Sequence, residues 1–333
     1  MNRRRILTIF IICQSIFCWL AATAVAQPLT PRSSTAASYI ERGNGWAAKS
    51  EWERAIADYD LAIASDPNFA GAYYNRAIAW YRQGNLDRAL ADFNRALQLD
   101  PHMASAYVNR GGVRYSLGDL DGVISDCGRA IELDPRLAHA WGNRGLARSL
   151  KGDHQGALAD FDRAVKLGLR SAEIYNNRGV VRFHLGDIEG AISDQNQALK
   201  LNPDFAEAYD VRGAARQFKG DLDGALADYN QAIKLAPRLA DVWFNRGSCW
   251  KARGDLRRAE ADFTQAIEID RRYSHAYGQR GLVRLLQGRV DEAQQDFDRC
   301  LALNKNLRQS LERLIAEANR QLARPEPIRL RHE

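Results

Sequence analysis

The chain has 333 residues, of which 46% are hydrophobic and 26% charged, so it has enough apolar content for an extensive core. The formal net charge is +6, but three arginines at positions 3–5 supply half of it: without them, 44 basic residues oppose 41 acidic ones, a balance of +3. Because both signs alternate along the rest of the chain, the composition argues against a nucleic-acid-binding stripe.

The first 26 residues have the organisation of a signal peptide. A basic segment is followed by an apolar stretch, and the small residues Ala24 and Ala26 flank Val25 before Gln27. We therefore predict a signal peptide over 1–26, export to the periplasm or outside the cell, and a flexible leader over 27–35. The alternative is an uncleaved membrane anchor over residues 6–26, since that stretch approaches the roughly 20 residues that a span needs.

From residue 36 to residue 307 the chain aligns with itself every 34 residues, without insertion or deletion. Positions 4, 8 and 11 of each repeat, and then positions 20, 24 and 27, are spaced as on one face of a helix, which predicts two helices per repeat. Glycine followed by Asn or Asp separates the two helices in most repeats. The eight predicted repeats are 36–69, 70–103, 104–137, 138–171, 172–205, 206–239, 240–273 and 274–307.

This pattern resembles the tetratricopeptide repeat, in which each unit is a pair of antiparallel helices. The resemblance covers residues 36–307 and rests on seven position classes that agree over eight copies. It implies an all-α, right-handed superhelical solenoid with a concave inner face. One face of residues 308–323 is apolar, which suits a capping helix over the last repeat, and residues 324–333 are predicted to form a tail.

Position 7 departs from the family pattern, which has Leu there, because this chain has Arg in every repeat. A buried guanidinium needs an acid, and position 23 is Asp in every repeat. We predict a structural ladder of Arg–Asp pairs, formed within a repeat or across to the next. The middle repeats also have Gly at position 19, for which the sequence offers no physical reason. The residues concerned are Arg110, Arg144, Arg178, Asp126, Asp160 and Asp194 in the ladder, and Gly122, Gly156, Gly190 and Gly224 at position 19.

The resemblance implies that positions 2, 5, 6, 9, 12 and 13 of the first helix line the groove. Position 6 is Asn in five repeats, and a side-chain amide both donates and accepts hydrogen bonds, which suits the backbone of an extended ligand. The row is similar to the asparagine ladder in the repeat domain of O-linked N-acetylglucosamine transferase; the alternative is a merely solvated surface. The predicted groove residues are Asn75, Asn109, Asn143, Asn177 and Asn245, with the aromatic residues Tyr74, Tyr81, Tyr115, Phe183 and Phe244.

No pattern of catalytic, metal-binding or cofactor-binding residues is present in the sequence. Cys127, Cys249 and Cys300 occupy core positions of separate repeats and are predicted to fill the core, not to form disulfides. We therefore predict an exported, non-enzymatic adaptor that binds extended protein or peptide segments in its groove, without nucleic acid or cofactor. The alternative is a membrane-tethered assembly or chaperone-like factor that uses its convex surface or self-association, with membrane attachment only if the signal is uncleaved.

Overall fold

The computed structural model describes residues 34–322, and this range contains helices and turns but no strand. The predicted signal peptide, nearly all of the leader and the tail lie outside the described residues. A 3₁₀ helix, Lys305–Leu307, precedes the last α-helix. The α-helices are α1 Ser34–Ala48, α2 Trp52–Ser65, α3 Ala70–Arg82, α4 Leu86–Leu99, α5 Ala104–Ser116, α6 Leu120–Leu133, α7 Ala138–Leu150, α8 His154–Lys166, α9 Ala172–His184, α10 Ile188–Leu201, α11 Ala206–Lys219, α12 Leu222–Leu235, α13 Ala240–Arg253, α14 Leu256–Ile269, α15 Ser274–Leu286, α16 Val290–Leu303 and α17 Arg308–Gln321.

The described residues form two compact units, an N-terminal unit of residues 34–181 and a C-terminal unit of residues 182–322, with the boundary near the end of α9. Within each unit the two helices of a repeat pack together, and the second packs on the first helix of the next repeat. First helices of successive repeats also contact one another, as α5 does with α7 and α11 with α13. We call the side formed by the first helices the inner face of each unit. The predicted all-α solenoid of helix hairpins is confirmed.

The turn inside each hairpin has a left-handed residue followed by a helix cap. Gly118 has φ +79°, which glycine adopts without steric cost, and Asp119 then accepts a 2.8 Å hydrogen bond from the Gly122 amide at the start of α6. Gly220, with φ +89°, precedes the same arrangement at α12. The local sequence therefore ends one helix and starts the next without help from other repeats.

In six of the repeats, the core between the two helices contains an aromatic ring packed on a small residue. A Cβ atom at Gly145 would lie 3.0 Å from two ring carbons of Phe161 and 3.2 Å from the Ala157 carbonyl oxygen. Glycine at this position lets the helices approach closely, and the packing offsets its cost of about 1 kcal/mol within a helix. Cys127, Cys249 and Cys300 are buried and free.

Helix α17 covers the last repeat. Its residues Leu311, Ile315 and Ala318 are buried in one cluster with Leu282 and Leu285 of α15. The apolar side of the final hairpin is thereby removed from water, which a terminal repeat needs because it has no following neighbour.

Candidate functional site

In both units, Arg–Asp pairs join the first helix of a repeat to the second helix of the same repeat. Arg144 donates from Nε and Nη2 to both oxygens of Asp160, at 2.9 and 2.8 Å, and its guanidinium carbon lies 4.8 Å from the centre of the Trp141 ring. Arg110 and Asp126 form the same two-pronged contact, at 2.9 and 2.6 Å. The aspartate side chains are about 2% exposed, so the pair is largely removed from water on the acid side.

The remaining guanidinium nitrogen, Nη1, donates a hydrogen bond to the preceding repeat. Arg76 Nη1 donates to Asp60 at 2.5 Å, and Arg178 Nη1 donates to Asp162 at 3.0 Å. Arg110 Nη1 donates to Asn94 Oδ1 at 2.8 Å, and Asn94 occupies the same position of its repeat as Asp60 and Asp162. Sequence reasoning missed this acceptor at position 25, although a polar residue recurs there 16 residues before the arginine. The ladder therefore connects neighbouring repeats as well as the two helices of one repeat.

The aspartate that caps the second helix lies over the glycines at position 19, and a second arginine, at position 11, lies beside it. Arg114 Nη1 lies 3.0 Å from Asp126 and donates to the Gly122 carbonyl oxygen at 3.2 Å. A Cβ atom at Gly122 would collide with Asp119 Oδ2 and lie 2.6 Å from Arg114 Cδ, and one at Gly156 would collide with Asp153 Oδ2. Where position 11 is Trp80, position 19 is Arg88, whose guanidinium lies 4.6 Å from the indole centre. Glycine at position 19 therefore leaves room for the carboxylate that caps the second helix and, at Gly122, for the arginine stem as well.

The inner face of the N-terminal unit corrects part of the predicted groove. Asn109 donates from Nδ2 to the Tyr74 hydroxyl at 2.8 Å, and the two residues are 6% and 3% exposed. Both were predicted to face a ligand, but Tyr74 packs edge-on against Phe93, with ring centres 5.9 Å apart. The two residues form a buried contact between α3 and α5. The contact forms because Tyr74, 35 residues before Asn109, supplies a hydroxyl acceptor.

Other members of the asparagine row are more open. Asn75 is half-buried and donates to Asn44 at 3.1 Å. Asn143 is half-buried, and within residues 34–322 its side chain makes no hydrogen bond, since the residue that corresponds to Tyr74 is the apolar Val108. Asn177 is also half-buried. Asn143 is therefore the described amide whose donor and acceptor atoms remain available.

Aromatic residues beside this row are partly open. Tyr81 and Tyr115 are half-buried, and the Tyr81 hydroxyl lies 3.4 Å from Ser116 Oγ. In the C-terminal unit, Phe183 is half-buried and meets Phe218 edge-on, with ring centres 6.2 Å apart. Phe218 is 53% exposed, so an apolar surface is available at that end of the first helices.

The inner face of the C-terminal unit has a charged version of the Tyr74–Asn109 contact. Asn245 is 1% exposed and lies with Nδ2 3.0 and 3.2 Å from the two carboxylate oxygens of Asp210. Phe244, predicted as part of a ligand pocket, is buried between Phe263 and Tyr273, with ring centres 5.6 and 5.2 Å away. Asn245 and Phe244 thus join Asn109 and Tyr74 as predicted ligand-facing residues that the structure buries.

The described residues, 34–322, contain no group of His, Cys, Asp and Glu side chains arranged to hold a metal ion. None of the helices in that part of the chain combines the length and apolar character that crossing a membrane requires.

Family models cover most of the helical region. Models described as "Tetratricopeptide repeat" match residues 44–108, 82–138, 143–206, 240–273 and 274–307, and one described as "TPR repeat" matches residues 219–248. Comparison with curated proteins found no match.

Several solved structures share the fold. The Cut9–Hcn1 hetero-tetramer of the APC/C matches with a TM-score of 0.63 at 16% identity, over 84% of this chain and 55% of that one. PilF from Pseudomonas aeruginosa matches with a TM-score of 0.58 at 18% identity, over 66% and 97%. A tetratricopeptide repeat protein from Parabacteroides merdae matches with a TM-score of 0.55 at 19% identity, over 75% and 99%. At these identities the likeness concerns the fold alone.

Proposed function

We propose, because the chain belongs to the tetratricopeptide repeat family, that it is a non-enzymatic scaffold for protein partners and that it holds an extended segment of a partner on its inner face. Proteins of this family are in general interaction scaffolds. The proposal adds where the partner binds and in what form.

The observation that carries this proposal is the open amide of Asn143, with Tyr115 half-buried on the preceding first helix. A side-chain amide can donate to a backbone carbonyl and accept from a backbone N–H of any sequence. Neighbouring first helices are about 10 Å apart, which an extended strand covers in about three residues. One such hydrogen bond contributes about 0.5–1.5 kcal/mol net, and an exposed Leu150 (41%) adds apolar contact.

Site-specific photo-crosslinking tests where the partner lies. A photoreactive phenylalanine would replace Ser116, exposed on the first helix α5, or Ala91, exposed on the second helix α4. We expect the inner-face probe to give discrete crosslinked partners that mass spectrometry identifies, and the α4 probe to give none. Crosslinks from α4 alone would contradict the proposal and favour the assembly factor that uses its outer surface.

With a partner in hand, Asn143→Ala should weaken binding by about 3- to 10-fold, from the loss of one or two hydrogen bonds. The matched control is Asn68→Ala, which removes an exposed asparagine in the turn between α2 and α3. Equal affinities of the two variants would show that the amide does not contact the partner.

We also propose that residues 1–26 direct export and are removed, on the basis of their basic and apolar segments and the Ala-Val-Ala end. N-terminal sequencing of the protein from fractionated cells should find Gln27 at or near the start. A membrane-bound species that retains Met1 would overturn cleavage and favour a tethered form.

A further inference from the structure

Three acids on the inner face of the C-terminal unit differ from those of the ladder. Glu207 and Asp210 lie on α11 and Asp241 lies on α13, and we call them the acidic cluster. Asp210 is 7% exposed, whereas Glu207 and Asp241 are half-buried. Burial, with a smaller contribution from the charges of Asp241 and Glu207, raises the pKa of Asp210 to about 7, although the hydrogen bond from Asn245 lowers it.

The acidic cluster has no cation. Asp228, a ladder acid of the same unit, forms ion pairs with both Arg212 and Arg216 at 2.6 and 2.7 Å. By contrast, no ion pair of Glu207, Asp210 or Asp241 exists in the described part of the chain, and no basic group is among the influences on the pKa of Asp210 or Asp241. A partly buried carboxylate without a cation is unfavourable, so the cluster would gain from a positive ligand.

Hydrogen-bond acceptors also outnumber donors there. Asn245 uses its Nδ2 on Asp210, and its buried Oδ1 has no hydrogen-bond partner among residues 34–322. Tyr273 supplies one further donor, its hydroxyl, which binds Asp241 at 2.5 Å. Glu207 accepts no hydrogen bond from residues 34–322, and Asp241 accepts one, from Tyr273, so a group that binds these two carboxylates must donate hydrogen bonds.

We propose that the acidic cluster binds a lysine or arginine side chain of the partner's extended segment. This inference rests on the proposed function and adds the chemistry of the partner. An ammonium or guanidinium group brings both the positive charge and the donors that the cluster lacks. Its aliphatic stem can pack on the rim of the Tyr273 ring, which is 8% exposed and lies beside Asp241.

The N-terminal unit has no equivalent cluster. At the positions of Glu207, Asp210 and Asp241, its third and fourth repeats have Ser105, Val108 and His139, none of which is an acid. The charged contact is therefore confined to the C-terminal unit.

Binding of peptide pools to the full chain tests this proposal. The probes are four fluorescein-labelled pools of nonapeptides, random except for a fixed central Lys, Arg, Gln or Glu, measured by fluorescence anisotropy. We expect the Lys and Arg pools to bind about tenfold more tightly than the Gln pool, and the Glu pool to bind least. Asp210→Asn and Asp241→Asn should each reduce that preference to less than about threefold.

The matched control is Asp204→Asn, which neutralises an exposed acid of the same unit and should preserve the preference. Thermal melting of every variant checks that it is folded. If Lys and Gln pools bind equally while Asn143→Ala weakens both, the acidic cluster is not a binding site and the proposed function stands. If Asp241→Asn is folded and retains the Lys preference, the inference is also overturned. If no pool binds and the Ser116 probe captures no partner, both proposals fail.

Discussion

The Tyr74–Asn109 contact of the N-terminal unit and the Asp210–Asn245 contact of the C-terminal unit occupy the same register, 35 residues apart in each case. In the first, a neutral hydroxyl accepts from the amide; in the second, a buried carboxylate does. The Arg–Asp ladder behind them is the same in both units. The same Arg–Asp ladder therefore supports inner faces of different chemistry. The residue at position 5 of the preceding repeat decides whether an asparagine binds a neutral hydroxyl, binds a carboxylate or has no hydrogen-bond partner there.

The largest expected effect concerns the frame that the two units share. Asp160→Ala would leave Arg144 and Arg148 without their acid, and Asp228→Ala would do the same to Arg212 and Arg216. Each variant should lower the free energy of unfolding by about 3–5 kcal/mol, as expected when one partner of a buried pair is removed. Urea unfolding measures this, with the exposed Asp204→Ala as control.

Equal losses in the two units would support a common frame. If Asp160→Ala lowers the free energy of unfolding no more than Asp204→Ala does, the ladder does not stabilise the fold. If only one of the two ladder variants is destabilised, the two units do not share a common frame.

The second prediction separates the two inner contacts by pH. The folded pKa of Asp210 is about 7, whereas an unfolded Asp titrates near 4, so folding takes up a proton between these values. Below about pH 4 the carboxyl is protonated in both the folded and the unfolded state and does not lower the free energy of unfolding. As the pH rises from 4 towards 7, the free energy of unfolding falls, because the folded state disfavours the ionised form. Asp210→Asn should therefore stabilise the protein by about 2–4 kcal/mol at pH 8 and have little effect at pH 4.

Tyr74→Phe is the matched change in the N-terminal unit. It should cost about 1 kcal/mol, because Asn109 loses its acceptor, and the cost should be the same at pH 8 and at pH 4. Melting curves at both pH values make the comparison. A pH-independent effect of Asp210→Asn would mean that this carboxylate is hydrated and not buried.

A third, smaller effect concerns the glycines at position 19, which occur in both units. Gly122→Ala should destabilise by about 1 kcal/mol, because the added methyl meets the capping carboxylate of Asp119 and the Arg114 stem. Gly45→Ala, in α1, has open space around the new methyl and should stabilise by about 0.5–1 kcal/mol through helix propensity. Exchanging the local pair, with Arg114→Trp and Gly122→Arg together, should restore the stability that Gly122→Ala loses. Chemical denaturation measures the change in the free energy of unfolding. A decrease for Gly122→Ala and an increase for Gly45→Ala would support this explanation of the glycines at position 19.

The smallest expected effect on folding sharpens the distinction between buried and open asparagines. Asn109→Ala should cost about 1 kcal/mol, whereas Asn143→Ala should change the unfolding free energy by less than about 0.5 kcal/mol. The order should reverse for partner affinity, because only Asn143 has unused hydrogen-bonding atoms. Stability and affinity that change together in both variants would contradict this division of roles.

Much of the frame could be predicted from the sequence. The 34-residue period runs through eight repeats, a small residue opposite an aromatic ring, as with Gly145 and Phe161, occurs in six of them, and a glycine followed by aspartate forms the hairpin turn in five. The confirmed fold follows from them because each hairpin repeats the same contacts with its neighbour. The pairing of position 7 with position 23 was also proposed from the sequence, since a buried arginine needs an acid.

The tertiary structure decided which side chains meet across neighbouring repeats. Asn109 is hydrogen-bonded to Tyr74, whereas Asn143 has no such partner, and the difference depends on a residue one repeat earlier. No local rule predicts which residues of neighbouring repeats face each other. The same holds for the acceptors at position 25, and for Asp210 and Asp241, which come together without a cation only when α11 and α13 are packed. Hairpin structure is a property of about 34 consecutive residues, whereas burial, pKa and availability to a partner belong to surfaces that exist only once the repeats have stacked.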